Sequence, residues 1–385
     1  MTAVFPFRVP QTQLFGAGAI EQIGAEADRL GLKKTLVVTD PGVAKAGVAD
    51  RVRQLLEGAG VATQVYDQAE SEPSVASVER AAAAAAGGDF DGIVGVGGGS
   101  ALDTAKGVSL RTANDGPLQR FFGVELVPAT GLPMILVPTT AGTGSEATPN
   151  AIFDDTERKL KAGIVSHRLF AQVAIVDPDL TIAAPPGVTA AAGMDALTHA
   201  IESYVALKAT PHTDLYALEA IRLIAAHLRA AVARGTDRAA RAGQARGSLY
   251  AGISITNAGT GLCHAMAYPL GSAFHVPHGL ANALLLPAVL EYNLVADLPK
   301  MARVAAAMGE PIEGLSERAA AELAVEAVRQ LSRDVGLPGG LREVGVPESA
   351  LEGFVEGTLS AQRLITNNPR VPSAAAVLEV YRAAY

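Results

Sequence analysis

Aspartate and histidine are spaced for metal binding in the second half of the chain. Asp195 and His199 are four residues apart, so on a helix both side chains project from one face and can converge on a single ion. The pair by itself is better explained as a capping aspartate and a buried, hydrogen-bonded histidine, because polar pairs at this spacing are common. It predicts a metal site only if the sequence supplies further ligands.

Further histidines stand later in the chain, where His264, His275 and His278 lie among Ala, Gly and Leu. With His199 they make up four of the seven histidines. Charge-poor surroundings make such a cluster costly unless its members are paired or bound to metal. One carboxylate and three imidazoles form a compact ligand shell for Fe²⁺ or Zn²⁺ and leave a position for a substrate oxygen. Cys263 is interpreted as a small buried hydrophobic residue rather than a thiolate.

Small residues mark a candidate phosphate site in the first half. The run Gly97-Gly98-Gly99-Ser100 follows a predicted strand, and a predicted helix continues from Ala101. Glycine lets backbone N–H groups approach a ligand, and the N-terminus of a helix favours phosphate. The run is therefore a candidate pyrophosphate cradle, although a tight turn without any ligand has the same sequence.

A second loop, Pro138 to Glu146, also follows a predicted strand and offers hydroxyl groups for phosphate or ribose oxygens. Two such loops suggest one ligand that bridges them, since open α/β sheets bind ligands at the carboxyl ends of their strands. Asp40 ends another predicted strand; there a carboxylate can accept hydrogen bonds from ribose hydroxyls and repels a 2′-phosphate, which favours NAD over NADP. A turn-forming aspartate before Pro41-Gly42 explains Asp40 equally well.

The elements that position these motifs alternate in the first half and are helical in the second. Periodicity predicts strands at 35–39, 61–66, 92–96, 133–137 and 173–176, and helices at 48–59, 74–86 and 101–109. This alternation indicates parallel strands joined by right-handed crossovers. Helical lengths follow at 189–207, 214–234, 238–258 and 282–294, with Thr189 as the expected N-cap of the first. We therefore predict a dinucleotide-binding α/β domain over 1–186 and an all-helical metal and substrate domain over 187–385.

Composition argues against several other classes of protein. Basic residues number 31 against 39 acidic ones, and the net charge of −8 gives no footprint for nucleic acid. No window of about 18 residues is apolar without Gly, Pro or charge, so no membrane span is predicted. A single cysteine cannot form an intramolecular disulfide, and the expected location is the cytoplasm. A homodimer or higher homo-oligomer is expected, because such assemblies are common.

Four motifs follow one another along most of the chain. They are Gly97-Gly98-Gly99-Ser100 with Asp103 and Lys106, then Pro138 to Glu146, then Gly193-Met194-Asp195 with His199 and Glu202, and finally Cys263-His264 through His278-Gly279. In this order they resemble the iron-containing (group III) alcohol dehydrogenase family. The resemblance implies a Rossmann-like parallel-sheet domain followed by an all-α domain, an architecture shared with dehydroquinate synthase. It also implies that a small alcohol is interconverted with its aldehyde or ketone by hydride transfer with NAD(P)(H).

The resemblance further implies a set of site residues. The implied ligands of Fe²⁺, or alternatively Zn²⁺, are Asp195, His199, His264 and His278. The residues implied around NAD, or alternatively NADP, are Asp40, Gly98, Gly99, Ser100, Asp103, Thr139, Thr140, Thr143, Lys161 and Leu180.

Two departures from the family pattern affect the expected chemistry. Many members carry a histidine four residues after the third ligand, whereas this chain has Tyr268, whose higher reference pKa makes it a poorer base near neutrality. His275 is a candidate substitute, and with Tyr268 and His278 it completes the residues expected beside the reacting atoms, although a plain loop histidine explains it better. Ser71-Glu72-Pro73 replaces the usual Asn-Pro, and we interpret Glu70 to Glu72 as solvated surface.

Three other functions remain as alternatives at this point. A lyase of the dehydroquinate-synthase type would need basic residues near the metal for its phosphate-bearing substrate, and the segments around Asp195 and His264 have almost none. A metal-free reductase of the maleylacetate-reductase type would not need the Asp/His set. A non-catalytic nucleotide sensor should have lost those ligands, which are intact.

Overall fold

The protein divides into two compact units. The computed structural model describes residues 4–158 and 160–385. The sheet unit comprises Val9–Thr140 and Gly144–Ala184, and the helical unit comprises the described residues up to Arg8 together with Ala141–Thr143 and Pro185–Tyr385. The boundary at residue 186 between a dinucleotide-binding domain and a metal and substrate domain stays a prediction.

Parallel strands form the main layer of the sheet unit. The strands of this unit are β1 (Thr12–Phe15), β2 (Lys34–Val38), β3 (Ala62–Tyr66), β4 (Gly92–Gly97), β5 (Gly123–Val124), β6 (Met134–Pro138), β7 (Asn150–Asp155), β8 (Leu160–Val165) and β9 (Val173–Val176). Six of them pair in parallel in the order β1-β9-β6-β4-β2-β3. The five strands predicted from hydrophobic runs are all present, and the predicted α/β class is confirmed.

The helices of this unit connect the strands. They are α1 (Ile23–Arg29), α2 (Pro41–Lys45), α3 (Val48–Gly58), α4 (Val75–Ala86) and α5 (Gly99–Arg111). The chain passes from β2 to its neighbour β3 and then crosses to β4 on the other side of β2. The carboxyl ends of β2 and β4 therefore flank a topological switch point, which is where open α/β sheets bind ligands.

A second, three-stranded sheet has the order β5-β8-β7, with β7 and β8 antiparallel. Its strands, like β1, are not predicted from the sequence. Strand β7 alternates buried and half-buried residues but ends in Asp154-Asp155, so only a few of its residues are apolar. Such a strand is specified mainly by the partner that it pairs with.

The helical unit is built from ten α-helices within its described residues. They are α6 (Pro186–Val205), α7 (Pro211–Ala233), α8 (Arg238–Ala258), α9 (Leu262–Phe274), α10 (His278–Asn293), α11 (Leu298–Ala307), α12 (Glu317–Asp334), α13 (Phe354–Ser360), α14 (Gln362–Ile365) and α15 (Ala374–Ala383). A single core of mostly Ala, Leu, Ile and Val joins them. The predicted helical character of this region is confirmed.

Helix α6 begins earlier than the sequence predicts. Its N-cap is Pro185, and Pro186 occupies the first turn, where a missing N–H costs nothing. Thr189 is therefore not the N-cap: it is buried inside the helix, and its hydroxyl accepts a hydrogen bond from Arg241 at 2.9 Å. The proline ring fixes the backbone for helix entry more strongly than a threonine cap three residues later.

One helical stretch within the described residues, 278–296, is long and apolar enough to cross a membrane. Within the protein, 61% of the most apolar part of this stretch is buried. Its helix α10 packs against α6 and α9, so its apolarity is accounted for by a place in the core of the helical unit.

Candidate active site

Helix α6 presents three polar side chains to one place inside the helical unit. Asp195, His199 and Glu202 follow at intervals of four and three residues, so they share one face of the helix. All three are at most 5% exposed. Buried charged groups of this kind persist only where partners satisfy them, which makes the face a candidate site.

The other predicted ligands come from the first turns of two helices. His264 is the third residue of α9, and His278 is the first residue of α10. Helix α10 approaches α6 closely, because a Cβ at Gly279 would lie only 2.6 Å from the backbone oxygen of Ala191. This contact between two backbones holds the start of α10 beside the part of α6 that carries Asp195.

The structure brings the predicted ligands together. Asp195, His199 and His264 each offer a ligand atom within 4.8 Å of the others. The Nε2 atoms of His264 and His278 lie 3.9 and 3.8 Å from Asp195 Oδ1. The rings of His199 and His264 are stacked with centroids 4.6 Å apart, and those of His264 and His278 are 5.3 Å apart. The four residues come from three helices, yet they form one cluster.

Asn282 lies where these ligand atoms converge. Its amide nitrogen is 2.7 Å from Asp195 Oδ1 and 3.2 Å from the Nε2 atoms of both His264 and His278. An amide nitrogen has two hydrogens, so it cannot satisfy three acceptors at once. Three acceptors converging on one place is the arrangement that a divalent cation satisfies, and these residues fit a metal.

Electrostatics support the same conclusion. Burial alone raises the pKa of Asp195, but His199, His278, His264 and the hydrogen bond from Asn282 together bring it below its usual value. Burial lowers the pKa of His199, which keeps that ring neutral near pH 7. Among the described residues, His199 Nδ1 is buried without a hydrogen bond of normal geometry, although the backbone of Gly142 acts on the same ring. An ionised carboxylate and neutral imidazoles are the forms that bind metal.

The predicted phosphate cradle lies at the switch point of the sheet unit. Gly97 ends β4 with φ of 150°, and a Cβ there would lie 2.6 Å from that of Ala101, so only glycine fits. Gly98 is the N-cap of α5 and supplies no side-chain hydrogen bond to the helix, whose first N–H groups can therefore take an anion. The second loop adjoins the first, because Thr139 N–H donates to the Gly97 oxygen at 2.9 Å and Thr140 follows it. This edge fits a dinucleotide phosphate.

Asp40 reaches the same edge, and its two carboxylate oxygens have different surroundings. Its Oδ1 accepts hydrogen bonds from the N–H groups of Gly42 and Val43, so it does cap α2 as a turn-forming aspartate. Its Oδ2 would be only 3.1 Å from a Cβ at Gly97, so the second oxygen faces the cradle.

Other residues implied around the dinucleotide differ in their surroundings. The carboxylate of Asp103 accepts hydrogen bonds from Ser145 Oγ at 2.6 Å and Ile152 N–H at 2.9 Å. It therefore holds the second loop in place, whatever else it does. Leu180 is buried against the core of the sheet unit. Thr143 is half-buried and belongs to the helical unit.

Comparisons with known proteins identify the family of this chain. The family model for iron-containing alcohol dehydrogenase matches residues 10–178, and the model for the C-terminal part of the Fe-containing alcohol dehydrogenase family matches residues 189–385. The chain belongs to the iron-containing alcohol dehydrogenase family. It is 43% identical to long-chain-alcohol dehydrogenase 1 of Geobacillus thermodenitrificans, over 98% of this chain and 95% of the relative. It is 36% identical to the NAD-dependent methanol dehydrogenase of Bacillus methanolicus, over 98% of both chains. A crystal structure of 1,3-propanediol oxidoreductase superposes with a TM-score of 0.97 at 42% identity over 100% of both chains.

This alcohol dehydrogenase is thus a metal-dependent oxidoreductase of alcohols and aldehydes, in a family that uses NAD(H) and Fe²⁺. The predicted resemblance, fold class, enzyme class and reaction are confirmed. These relatives do not favour the lyase, the metal-free reductase or the sensor.

Two of the residues expected beside the reacting atoms of this alcohol dehydrogenase lie on α9 or at its end. The ring of Tyr268 stacks on that of His278 with centroids 6.3 Å apart and planes 27° apart. His275 is exposed and ends α9 in the left-handed region with φ of 53°, whereas His199 and His264 are buried. Cys263 is fully buried, and burial raises the pKa of its thiol well above the usual value, which agrees with its interpretation as a hydrophobic residue.

Sequence reasoning misjudged Glu72 and missed Asn282. Glu72 is not solvated surface: its carboxylate is 2.8 Å from the ammonium of Lys161, and its N–H donates to Ser100 Oγ at 3.1 Å. A loop has no periodic pattern in its sequence, so nothing there indicates that an acidic residue pairs with a distant lysine. The sequence did indicate Asn282, because it follows His278 by four residues on one helix and therefore shares the face that carries His278.

Proposed function

We propose that this dehydrogenase interconverts a small alcohol and its aldehyde or ketone at a metal held by Asp195, His199, His264 and His278. The convergence of Asp195, His264 and His278 on the amide of Asn282 carries this proposal, because a cation satisfies what a two-hydrogen donor cannot. When bound, the metal supplies a Lewis acid for the substrate oxygen, and NAD(H) supplies or accepts the hydride.

The residues of the chain then have separate tasks. Asp195 contributes the negative charge of the ligand set, and the neutral imidazoles contribute lone pairs. Tyr268 is our candidate for passing the alcohol proton, supported by its stacking on the His278 ring. His275 is a weaker candidate for the same step, since its ring is exposed.

The dinucleotide is proposed to bind at the switch point of the sheet. The N-terminus of α5 with Gly97, Gly98, Gly99 and Ser100 takes the pyrophosphate, and Asp40 takes a ribose. Around them we place the remaining residues implied by the family: Asp103, Thr139, Thr140, Thr143, Lys161 and Leu180. The carboxylates Asp40 and Glu72 at this edge favour NAD over NADP, and Fe²⁺ over Zn²⁺ follows the family.

The same proposal covers the domains, the location, the partners and the oligomeric state of the protein. We assign dinucleotide binding to a domain over 1–186 and the metal and substrate site to a domain over 187–385. A net charge of −8 supports an enzyme without nucleic-acid partners, and the burial of α10 supports one without a membrane partner. The single cysteine supports a cytoplasmic location. A homodimer or higher homo-oligomer is proposed on general frequency, and light scattering on the purified protein measures it.

Activity with a panel of alcohols and aldehydes tests the function. Protein reconstituted with Fe²⁺ or Zn²⁺ is mixed with NAD⁺ or NADP⁺ for the alcohols and with NADH or NADPH for the aldehydes, and absorbance is followed at about 340 nm. The panel contains methanol, 1,3-propanediol and long-chain alcohols, because the relatives named above are a methanol, a propanediol and a long-chain-alcohol enzyme. We expect turnover with at least one short alcohol.

His264→Ala tests the site itself. The variant should lose bound metal. Its turnover should fall by more than the roughly 100-fold that is caused by replacing a residue that only hydrogen-bonds to a metal ligand. The control is His167→Ala, which removes an exposed histidine that pairs with Glu125. Full activity of His264→Ala after chelation and dialysis would show that the metal site is assigned wrongly.

A further inference from the structure

A buried carboxylate outside the ligand set joins α6 to the first turn of α9. Glu202 is 2% exposed, and both of its oxygens are engaged. Its Oε2 is 2.5 Å from His264 Nδ1, and its Oε1 accepts a hydrogen bond from the Cys263 N–H at 2.6 Å. One side chain therefore fixes both the backbone at Cys263 and the ring of His264, whose Nε2 faces the cluster.

The contacts on the two ring nitrogens define the tautomer of His264. Its Nε2 lies 3.2 Å from the amide nitrogen of Asn282, and its Nδ1 lies 2.5 Å from the carboxylate of Glu202, a group that only accepts. The hydrogen of a neutral ring is then on Nδ1, where the carboxylate of Glu202 accepts it. The lone pair of Nε2 consequently points to the place where Asp195, His264 and His278 converge.

We propose that Glu202 is a positioning residue that holds His264 in the Nδ1–H tautomer and so keeps its Nε2 available to the metal. A carboxylate behind a ligating histidine fixes both ring orientation and tautomer. Helix α6 carries Glu202 three residues after His199, so the helix that supplies two ligands also orients a third. This inference rests on the proposed metal site.

A purely structural role makes a different prediction. If Glu202 only satisfied the N–H groups at the start of α9, its replacement would lower stability and leave the metal affinity of the folded protein unchanged. Glu202→Gln separates the two roles. Glutamine keeps the shape and an oxygen for the Cys263 N–H, but its amide donates towards Nδ1 and so favours the Nε2–H tautomer, which cannot bind metal.

Metal titration of the folded protein tests the proposal. Co²⁺ is titrated into metal-free wild type and Glu202→Gln, and visible absorption and competition with a chelator give the affinity. We expect Glu202→Gln to bind Co²⁺ about 10- to 100-fold more weakly. The control is Ser203→Ala on the same helix, which removes a buried hydrogen bond between Ser203 and Ser254 at 2.7 Å and should leave Co²⁺ affinity unchanged.

Nitrogen NMR of the metal-free wild type gives a second test that needs no folded variant. We expect the His264 ring to carry its hydrogen on Nδ1. An Nε2–H tautomer in the wild type, or wild-type Co²⁺ affinity in Glu202→Gln, would overturn the role of Glu202. A wild type that binds no Co²⁺ would instead overturn the proposed metal site, so the two failures are distinguishable.

Discussion

At the scale of single residues, we propose that Tyr268 lies on the proton route of this enzyme. Its ring stacks on His278, so its hydroxyl is carried by a side chain next to a proposed ligand. We expect Tyr268→Phe to lower kcat by about 100-fold without loss of metal, the lower end of the range for general acid–base groups. Tyr268→His should restore turnover and shift the rise of kcat towards lower pH, since imidazole titrates about 3 to 4 pH units below phenol.

Rate profiles against pH with metal analysis check this prediction. Tyr292→Phe is the matched control, because its hydroxyl donates to the Val371 oxygen. Unchanged kcat in Tyr268→Phe at every pH would remove Tyr268 from the proton route and leave His275 as the candidate.

Glu72 sets the charge beside the phosphate cradle. It pairs with Lys161, so the ammonium of that lysine is neutralised within the protein. We expect Glu72→Gln to free this cation and to tighten NADPH binding by about tenfold relative to NADH, the scale of one relieved like-charge contact. Fluorescence titration with both nucleotides measures the ratio. Glu70→Gln is the control, since Glu70 pairs with Arg80 instead; an equal shift in both variants would contradict a specific role for Glu72.

At the scale of elements, the metal cluster depends on how closely α10 approaches α6. A side chain on Gly279 would meet the Ala191 backbone at 2.6 Å and Asp195 Cβ at 3.3 Å, so the two helices would have to separate. We expect Gly279→Ala to cost about 1–3 kcal/mol of stability and to weaken metal binding, because His278 starts α10 and would move away from Asp195.

Thermal unfolding and metal titration of the same samples measure both effects. Gly187→Ala in the first turn of α6 is the matched control, since its added Cβ meets nothing within 4 Å. If Gly279→Ala binds metal as tightly as Gly187→Ala, the helix spacing does not set the site.

At the scale of the whole molecule, one buried acid should make stability depend on pH. Burial raises the pKa of Glu146 from 4.5 to about 7. Between these values the folded chain keeps the proton and the unfolded chain has lost it, so stability falls as pH rises through this window, by roughly 3 kcal/mol in all. Glu146→Gln should remove this dependence and gain stability relative to wild type from about pH 5 to about pH 8.

Unfolding temperatures across this pH range check the sign. Glu313→Gln, at an exposed position of the helical unit, is the control for removal of a charge. A constant difference between Glu146→Gln and wild type across the range would contradict the shifted titration.

The fold class and the proposed ligands follow from local patterns in the sequence. Periodic apolar runs specify parallel strands and long helices because each pattern matches one backbone geometry. His264 and His278 stand out because imidazoles are costly in an apolar segment without a partner. The strands β7 and β8 are not predictable in this way, since their pairing rather than their period defines them.

Only the tertiary structure decided which partners these residues have. Asn282 meets Asp195 across 87 residues, and Glu202 meets His264 across 62, through helices whose spacing no local pattern encodes. The pairing of Glu72 with Lys161 depends in the same way on a strand that the sequence did not reveal. Sequence determines which chemical groups are present and on which face each stands, whereas the packing of helices and strands determines which groups meet, because contact distance depends on the whole fold.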